Sequence, residues 1–126
     1  MSEPKLELGL KGELLAVNFL KNNGYRIINT NYRTRLGQID IIAKNKRTIC
    51  FIEVKTRKNQ WFGSPAEAID AAKQRKISQV ALTFLKQEGL LNYPARFDVV
   101  AISCPDVQPK IELIRNAFEL DYHYFY

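Results

Sequence analysis

Two short segments carry almost no polar residues: Ile39-Asp40-Ile41-Ile42 and Ile49-Cys50-Phe51-Ile52-Glu53-Val54 are apolar runs broken only by single acids. A strand with one solvated face alternates apolar and polar residues, whereas a near-continuous run fits a strand covered on both faces. The chain therefore needs a central sheet with helices on each side. A turn around Asn45 and Lys46 separates the runs, so residues 38–44 and 48–56 read as a hairpin.

The flanking segments supply the layers. Residues 10–23 predict a helix with Leu10, Leu14, Val17 and Leu20 as its stripe, stopped by Gly24. Residues 25–32 read as extended. Ser64-Pro65-Ala66-Glu67 has capping-box spacing with proline at the first helical position, and helical structure should continue through Leu85 to Gly89. Glu67 is then a cap, Asp70 is placed to cap a second segment after a break, and Ile77, Val80, Ala81 and Phe84 form the buried face. Residues 96–103 and 111–114 read as the last strands. The order predicts an α/β or α+β layered sheet of mixed strand direction, in one domain whose folded unit spans 8–118, with 1–8 and 119–126 as fraying ends.

Several function classes are excluded by what the 126 residues lack. No apolar run approaches the roughly 20 residues that span a bilayer, and Met1 to Leu10 has no continuous hydrophobic region, so a cytoplasmic chain without a membrane partner is expected. Cys50 and Cys104 make neither a disulfide framework nor a zinc site. A Ser-His-Asp or Cys-His mechanism would have to use the single histidine, His123, in the terminal Tyr122-His123-Tyr124-Phe125-Tyr126. That aromatic tail reads as core cover or a partner contact. Phosphate-cradling glycine loops are also missing, which removes nucleotide binding of the usual kinds. If the chain is an enzyme, its chemistry must come from carboxylates and lysine, with or without a metal.

The net charge of +6 favours a polyanionic partner, because clustered cations gain affinity for phosphates by counterion release. Arg33 and Arg35, then Arg57 and Lys58, then Lys73, Arg75 and Lys76 form three clusters along the chain. A solvated basic face that only aids solubility would look similar.

Asp40, Glu53 and Lys55 carry the sharper signal. Alternation puts Glu53 and Lys55 on one face of their strand. A two-residue loop at Asn45 and Lys46 would set Asp40 opposite Phe51, diagonal to Glu53, and a four-residue loop would set it directly opposite Glu53; regular alternation puts all three on one face in both registers. Two carboxylates in an apolar sheet repel each other and are costly to desolvate. Lys55 can neutralise one, whereas Mg²⁺ or Mn²⁺ would serve both. Glu13, in the middle of the expected stripe of the first helix, adds a third acid. The bare pattern is weak, since Glu3-Pro4-Lys5 also matches it, and a structural cross-strand ion pair with Glu13 at the helix edge is the rival explanation. Asp98, in Arg96-Phe97-Asp98-Val99, reads as a sheet-edge residue or a partner of a basic side chain and is assigned no chemistry.

As a set, Gly12-Glu13, Gly24-Tyr25, Asn31-Tyr32-Arg33, Gly37-Gln38-Ile39-Asp40, Phe51-Ile52-Glu53-Val54-Lys55-Thr56-Arg57, Phe62-Gly63-Ser64-Pro65, Lys73-Gln74-Arg75 and Arg96-Phe97-Asp98-Val99 resemble the YraN-like family of small bacterial proteins. The match runs in order along nearly the whole chain. That family is similar to archaeal Holliday junction resolvases and to the PD-(D/E)XK restriction-endonuclease-like superfamily. The resemblance implies a three-layer fold with a central mixed sheet and a Mg²⁺- or Mn²⁺-dependent endonuclease acting on branched or structured DNA. Asp40 and Glu53 would be the metal-binding acids, Lys55 the catalytic lysine, and Glu13 the helix-borne acid completing the metal site. The resemblance leaves room for a homodimer, for a DNA-processing protein as partner, and for a non-catalytic nucleic-acid-binding or adaptor protein on the same fold. One position departs: where the family usually has Gly-Glu-Ile-Asp, this chain has Gln38, whose neutral amide implies weaker metal binding. Arg33, Arg35, Arg57, Lys58, Lys73, Arg75 and Lys76 are the candidate phosphate contacts.

Overall fold

The computed structural model describes residues 4–59 and 63–119. Phe62, His123 and the aromatic tail lie outside the described residues. Helix α1 (Pro4–Asn22) precedes three strands, β1 (Tyr25–Thr34), β2 (Gly37–Asn45) and β3 (Thr48–Arg57). A single 3₁₀ turn (Pro65–Ala68) and helix α2 (Ala71–Gln87) follow, and β4 (Ala95–Ser103) and β5 (Lys110–Phe118) complete the chain. The five strands form one sheet in the order β1-β2-β3-β4-β5. Every neighbouring pair is antiparallel except β3 and β4, which are parallel and joined by the α2 crossover.

Both sheet faces are covered, as the apolar runs require. On one side Ala16 and Leu20 of α1 pack with Tyr25, Ile41, Ala43, Cys50, Ile52, Val100 and Ile102. On the other, Ile77, Val80, Ala81, Phe84 and Leu85 of α2 pack with Ile39, Ile42, Ile49, Phe51, Phe97 and Val99. The result is the expected three-layer α+β, restriction-endonuclease-like fold. No helix among the described residues is long and apolar enough to cross a membrane.

Three expectations need correction. Helix α1 buries only the later half of the expected stripe: Leu10 is 56% and Leu14 68% exposed, whereas Leu20 faces the sheet together with Gly12 and Ala16, and Val17 packs half-buried beside them. Small side chains at a four-residue spacing let the helix lie close, and that close seam, rather than the bulkiest residues, sets its rotation. Glu13 consequently sits half-buried at the edge of the packed face, not in its middle. Second, Ser64 and Glu67 open only the 3₁₀ turn, where the Glu67 N–H donates to the Ser64 carbonyl at 3.1 Å. Helix α2 starts afresh at Asp70, the second cap that the sequence offered, whose Oδ1 accepts the Lys73 N–H at 2.8 Å. Third, the hairpin closes with Asn45 paired to Thr48, so its loop is Lys46-Arg47, and Lys46 takes a positive φ of 56°. Of the two registers expected, this is the one that sets Asp40 opposite Glu53.

Gly12 is the tightest point between α1 and the sheet. A Cβ built there would lie 1.9 Å from Thr56 Oγ1 and 3.0 Å from Thr56 Cβ. Gly12→Ala gains about 1 kcal/mol of helix propensity but forces the helix off β3, an overpacking cost of roughly 1–3 kcal/mol. Because three atoms of Thr56 crowd the added Cβ, the overpacking cost lies at the upper end of that range, and the expected result is a net loss of about 2 kcal/mol in urea unfolding, largely recovered when Thr56→Ala is added. An unchanged midpoint for the single variant would mean that α1 can shift freely and that Glu13 is not held in place by this seam.

Candidate functional site

The β2–β3 ladder runs from Asn45–Thr48 to Ile41–Ile52 and ends there. One residue further, Asp40 turns its carboxylate into the gap, and Oδ2 accepts the Val54 N–H at 2.9 Å. A side chain thus takes the backbone donor of the next rung, which satisfies Val54 and lets the strands part. Regular alternation fails here. Ile39 and Ile42 both pack on the α2 side, whereas Ile41 and Ala43 pack on the α1 side, and Asn31, beside this break on β1, has a positive φ of 55°. Asp40 therefore faces a hollow of about 380 Å³ on the α1 side, lined also by Glu13, Val54 and Thr56. The single face expected for Asp40, Glu53 and Lys55 is replaced by a gap between strands with the acids on either side of it.

A line of amides joins the acids of the hollow. Asn31 Nδ2 donates to Glu13 Oε2 at 3.4 Å, Gln38 Nε2 donates to Asn31 Oδ1 at 3.2 Å, and the same Gln38 nitrogen donates to Asp40 Oδ1 at 3.2 Å. Glu13 thus reaches Asp40 through two side chains. Gln38 fits this role because a neutral amide can donate to a carboxylate, which a glutamate in its ionised form cannot.

Glu53 is buried on the other side of the gap. Its Oε1 lies 2.7 Å from Lys73 Nζ and 4.0 Å from Lys55 Nζ. Burial and then the charge of Asp40 push the Glu53 carboxyl above the ordinary range, although Lys73 and Lys55 pull it back. Burial, followed by the neighbouring Lys73, lowers the Lys55 ammonium. Burial also acts to lower Lys73, but the hydrogen bond and charge of Glu53 prevail and its pKa is raised. Carboxylate oxygens are the donors that Mg²⁺ and Mn²⁺ prefer, and Asp40 and Glu53 present them on either side of the gap. Among the described residues no group of three or more His, Cys, Asp or Glu side chains is gathered to hold a metal by itself. The acids present are Asp40 and Glu53 with Glu13 behind, and a set this small would suit only an ion that keeps several waters.

All seven basic residues singled out from the sequence sit at this end of the sheet. Arg33 and Arg35 flank the β1–β2 turn, and Gly37 brings that turn against Lys76 and Val80 of α2. Arg57 and Lys58 continue β3 beyond Lys55, and Lys73, Arg75 and Lys76 lie in the first turns of α2. Arg33, Arg35, Arg57, Lys58 and Lys76 are exposed. Lys73 differs from the rest because it is paired with Glu53 inside the site. Its role there, and that of Asn31, had no signature in the sequence: each depends on a contact between distant elements. Gln38 was visible only as a departure two residues before Asp40.

The family model of the uncharacterised protein family UPF0102 matches residues 12–102, which hold Glu13, Asp40, Glu53, Lys55 and Lys73. The chain belongs to UPF0102. The UPF0102 protein of Geobacter metallireducens is 48% identical over 122 residues, covering 97% of this chain and 100% of that one. The UPF0102 protein of Geotalea daltonii is 51% identical over 116 residues, covering 91% of each. This is the family that the motifs resemble. Among solved structures, the crystal structure of SSO0001 aligns at 19% identity with a TM-score of 0.44, covering 92% of this chain and 54% of that chain.

Proposed function

We propose that this UPF0102 member is a metal-dependent endonuclease that hydrolyses phosphodiester bonds in DNA, with branched or structured DNA as its substrate class. The observation that carries the reading is the meeting of Asp40, Glu53 and Lys55 where β2 and β3 part, at the end of the sheet that also bears the basic residues. Asp40 and Glu53 would hold Mg²⁺ or Mn²⁺, with Glu13 behind them, and the ion when bound would supply Lewis-acid polarisation of the scissile phosphate. Gln38 and the Val54 N–H fix the Asp40 carboxylate in its gap. Lys55 orients the attacking water and offsets negative charge developing on the phosphate. Arg33, Arg35, Arg57, Lys58, Arg75 and Lys76 position the backbone of the nucleic acid without reading its sequence.

A second reading, a non-catalytic DNA-binding or adaptor protein, draws on a specific observation. Both acids already have partners from the chain itself, Gln38 on Asp40 and Lys73 on Glu53. A site kept only for structure would look the same.

Both readings require electrostatic, weakly sequence-dependent DNA binding, and this is tested by titrating labelled duplex, single-stranded and four-way-junction DNA at two salt concentrations. With six exposed or half-exposed cations meeting phosphates, affinity should fall about a thousandfold between roughly 50 and 200 mM salt. Binding that ignores salt, or no binding to any form, would remove DNA as the partner. Cleavage separates the two readings.

A further inference from the structure

The Glu53 carboxylate has a resident cation, and it is not the lysine of its own strand. Lys73 Nζ stands 2.7 Å from Glu53 Oε1, against 4.0 Å for Lys55. Lys73 reaches across from the first turn of α2, and its backbone is anchored because its N–H donates to the capping Asp70 carboxylate at 2.8 Å. The two ends of the pair differ in exposure: the Glu53 side chain is 10% exposed and that of Lys73 41%. The carboxylate is therefore fixed and dry, while the ammonium that neutralises it has water within reach. With Asp40 and Glu53 set against Lys55 and Lys73, the charges of the cluster balance before any ion arrives.

We infer that Lys73 is the internal counter-ion of Glu53, and that a divalent cation binding at Glu53 displaces it and frees its ammonium toward the phosphate path. The inference rests on the metal reading above and adds to it a residue and a coupling. An ammonium donating to Oε1 occupies an approach that a metal–oxygen bond of about 2.1 Å needs, so the two compete for one carboxylate oxygen. Repulsion between the ammonium and a nearby dication favours exchange over coexistence. Leaving is easy because the head group is partly hydrated and its stem is flexible, so it returns to water at small cost. Because Lys73 lies in the first turn of α2, ion binding and the tie between that turn and β3 become linked.

The experiment is calorimetric titration of Mn²⁺, without DNA, into the full chain, its Lys73→Met and Lys73→Arg variants and Glu53→Gln, each checked for folding by circular dichroism. Lys73→Gln is a second neutral variant in case the methionine protein misfolds. Amide hydrogen exchange of residues 71–75 is followed with and without Mn²⁺. Removing the competitor should tighten Mn²⁺ binding about five- to tenfold in Lys73→Met, while Lys73→Arg keeps the parent affinity and Glu53→Gln loses it. Mn²⁺ should speed exchange in the first turn of α2 in the parent and leave it unchanged in Lys73→Met, where the tie is already cut. Equal or weaker affinity in Lys73→Met, or the same exchange response in both proteins, overturns the inference. If the parent binds Mn²⁺ and cleaves DNA while Lys73→Met binds no tighter, only the Lys73 assignment falls. If neither binds Mn²⁺, the metal reading falls with it.

Discussion

Asp40→Asn should reduce cleavage of a four-way junction and of plain duplex, assayed with Mg²⁺ or Mn²⁺, on the order of 100-fold or more while leaving DNA binding intact. The substitution keeps the shape of the side chain, and its amide oxygen can still accept the Val54 N–H that Asp40 Oδ2 accepts at 2.9 Å. What it removes is a charged oxygen donor at the parting of β2 and β3. In metal-free buffer DNA binding should tighten, because a negative charge beside the phosphate path is gone. Lys55→Ala should likewise suppress cleavage. Gln38→Glu gives up the amide's hydrogen bonds to Asp40 and Asn31, leaving the Val54 N–H to hold Asp40, but adds a carboxylate beside Asp40 as a further oxygen donor for a divalent ion, so metal-supported activity should be preserved or raised. With every protein checked for folding, two results would be decisive. A parent and a Gln38→Glu variant that bind DNA yet stay inactive on every substrate favour the adaptor reading; cleavage by Asp40→Asn at the parent rate means the site lies elsewhere.

The largest effect on stability is expected on β4, where Asp98, level with Ile52 of β3, is fully enclosed. Its Oδ1 accepts Arg96 Nε at 2.8 Å and the Asn116 N–H at 2.9 Å, and its Oδ2 accepts an Arg96 terminal nitrogen and the Tyr25 hydroxyl, both at 3.0 Å. The same Arg96 nitrogen lies 3.3 Å from Cys50 Sγ. The hydrogen bonds to Asp98 raise the Arg96 pKa above its ordinary value, and burial followed by the charge of Asp98 pushes the Cys50 thiol up to about 11, so Cys50 stays a neutral, inert thiol. Asp98→Ala strands a half-buried guanidinium together with a tyrosine hydroxyl and a backbone donor. The expected loss is about 3–5 kcal/mol in urea unfolding, a large share of the roughly 5–15 kcal/mol that holds an ordinary domain together. Arg96→Met added to Asp98→Ala should recover part of it, because most of the penalty is the uncompensated charge. A loss below about 1 kcal/mol in the single variant would show that the network contributes little beyond its own desolvation.

Local patterning was enough to give the layers, both helices and all five strands, though not the separate 3₁₀ turn before α2. The apolar runs around Ile41 and Ile52 demanded cover on both sides, and α1 and α2 provide it; Ile77, Val80, Ala81 and Phe84 are buried as their helical spacing predicts. Asp40, Glu53 and Lys55 were legible for a related reason, since acids inside such runs need a partner and alternation ties Glu53 to Lys55. Tertiary structure decided the rest. The rotation of α1 follows the closest approach at Gly12 and Ala16, which leaves Leu10 and Leu14 in solvent, and periodicity counts apolar residues without knowing how near a sheet will come. Regular alternation could not foresee that Asp40 would leave its face to take the Val54 N–H, because that exchange depends on where the ladder stops. The pairing of Asp98 with a basic side chain was legible, and Arg96, two residues away on β4, supplies it; Asn31, Lys73 and the reach of Tyr25 and Asn116 to Asp98 were illegible for the most general reason: their meaning lies in atoms brought from separate elements to within about 3 Å, and spacing along the chain carries no record of such distances.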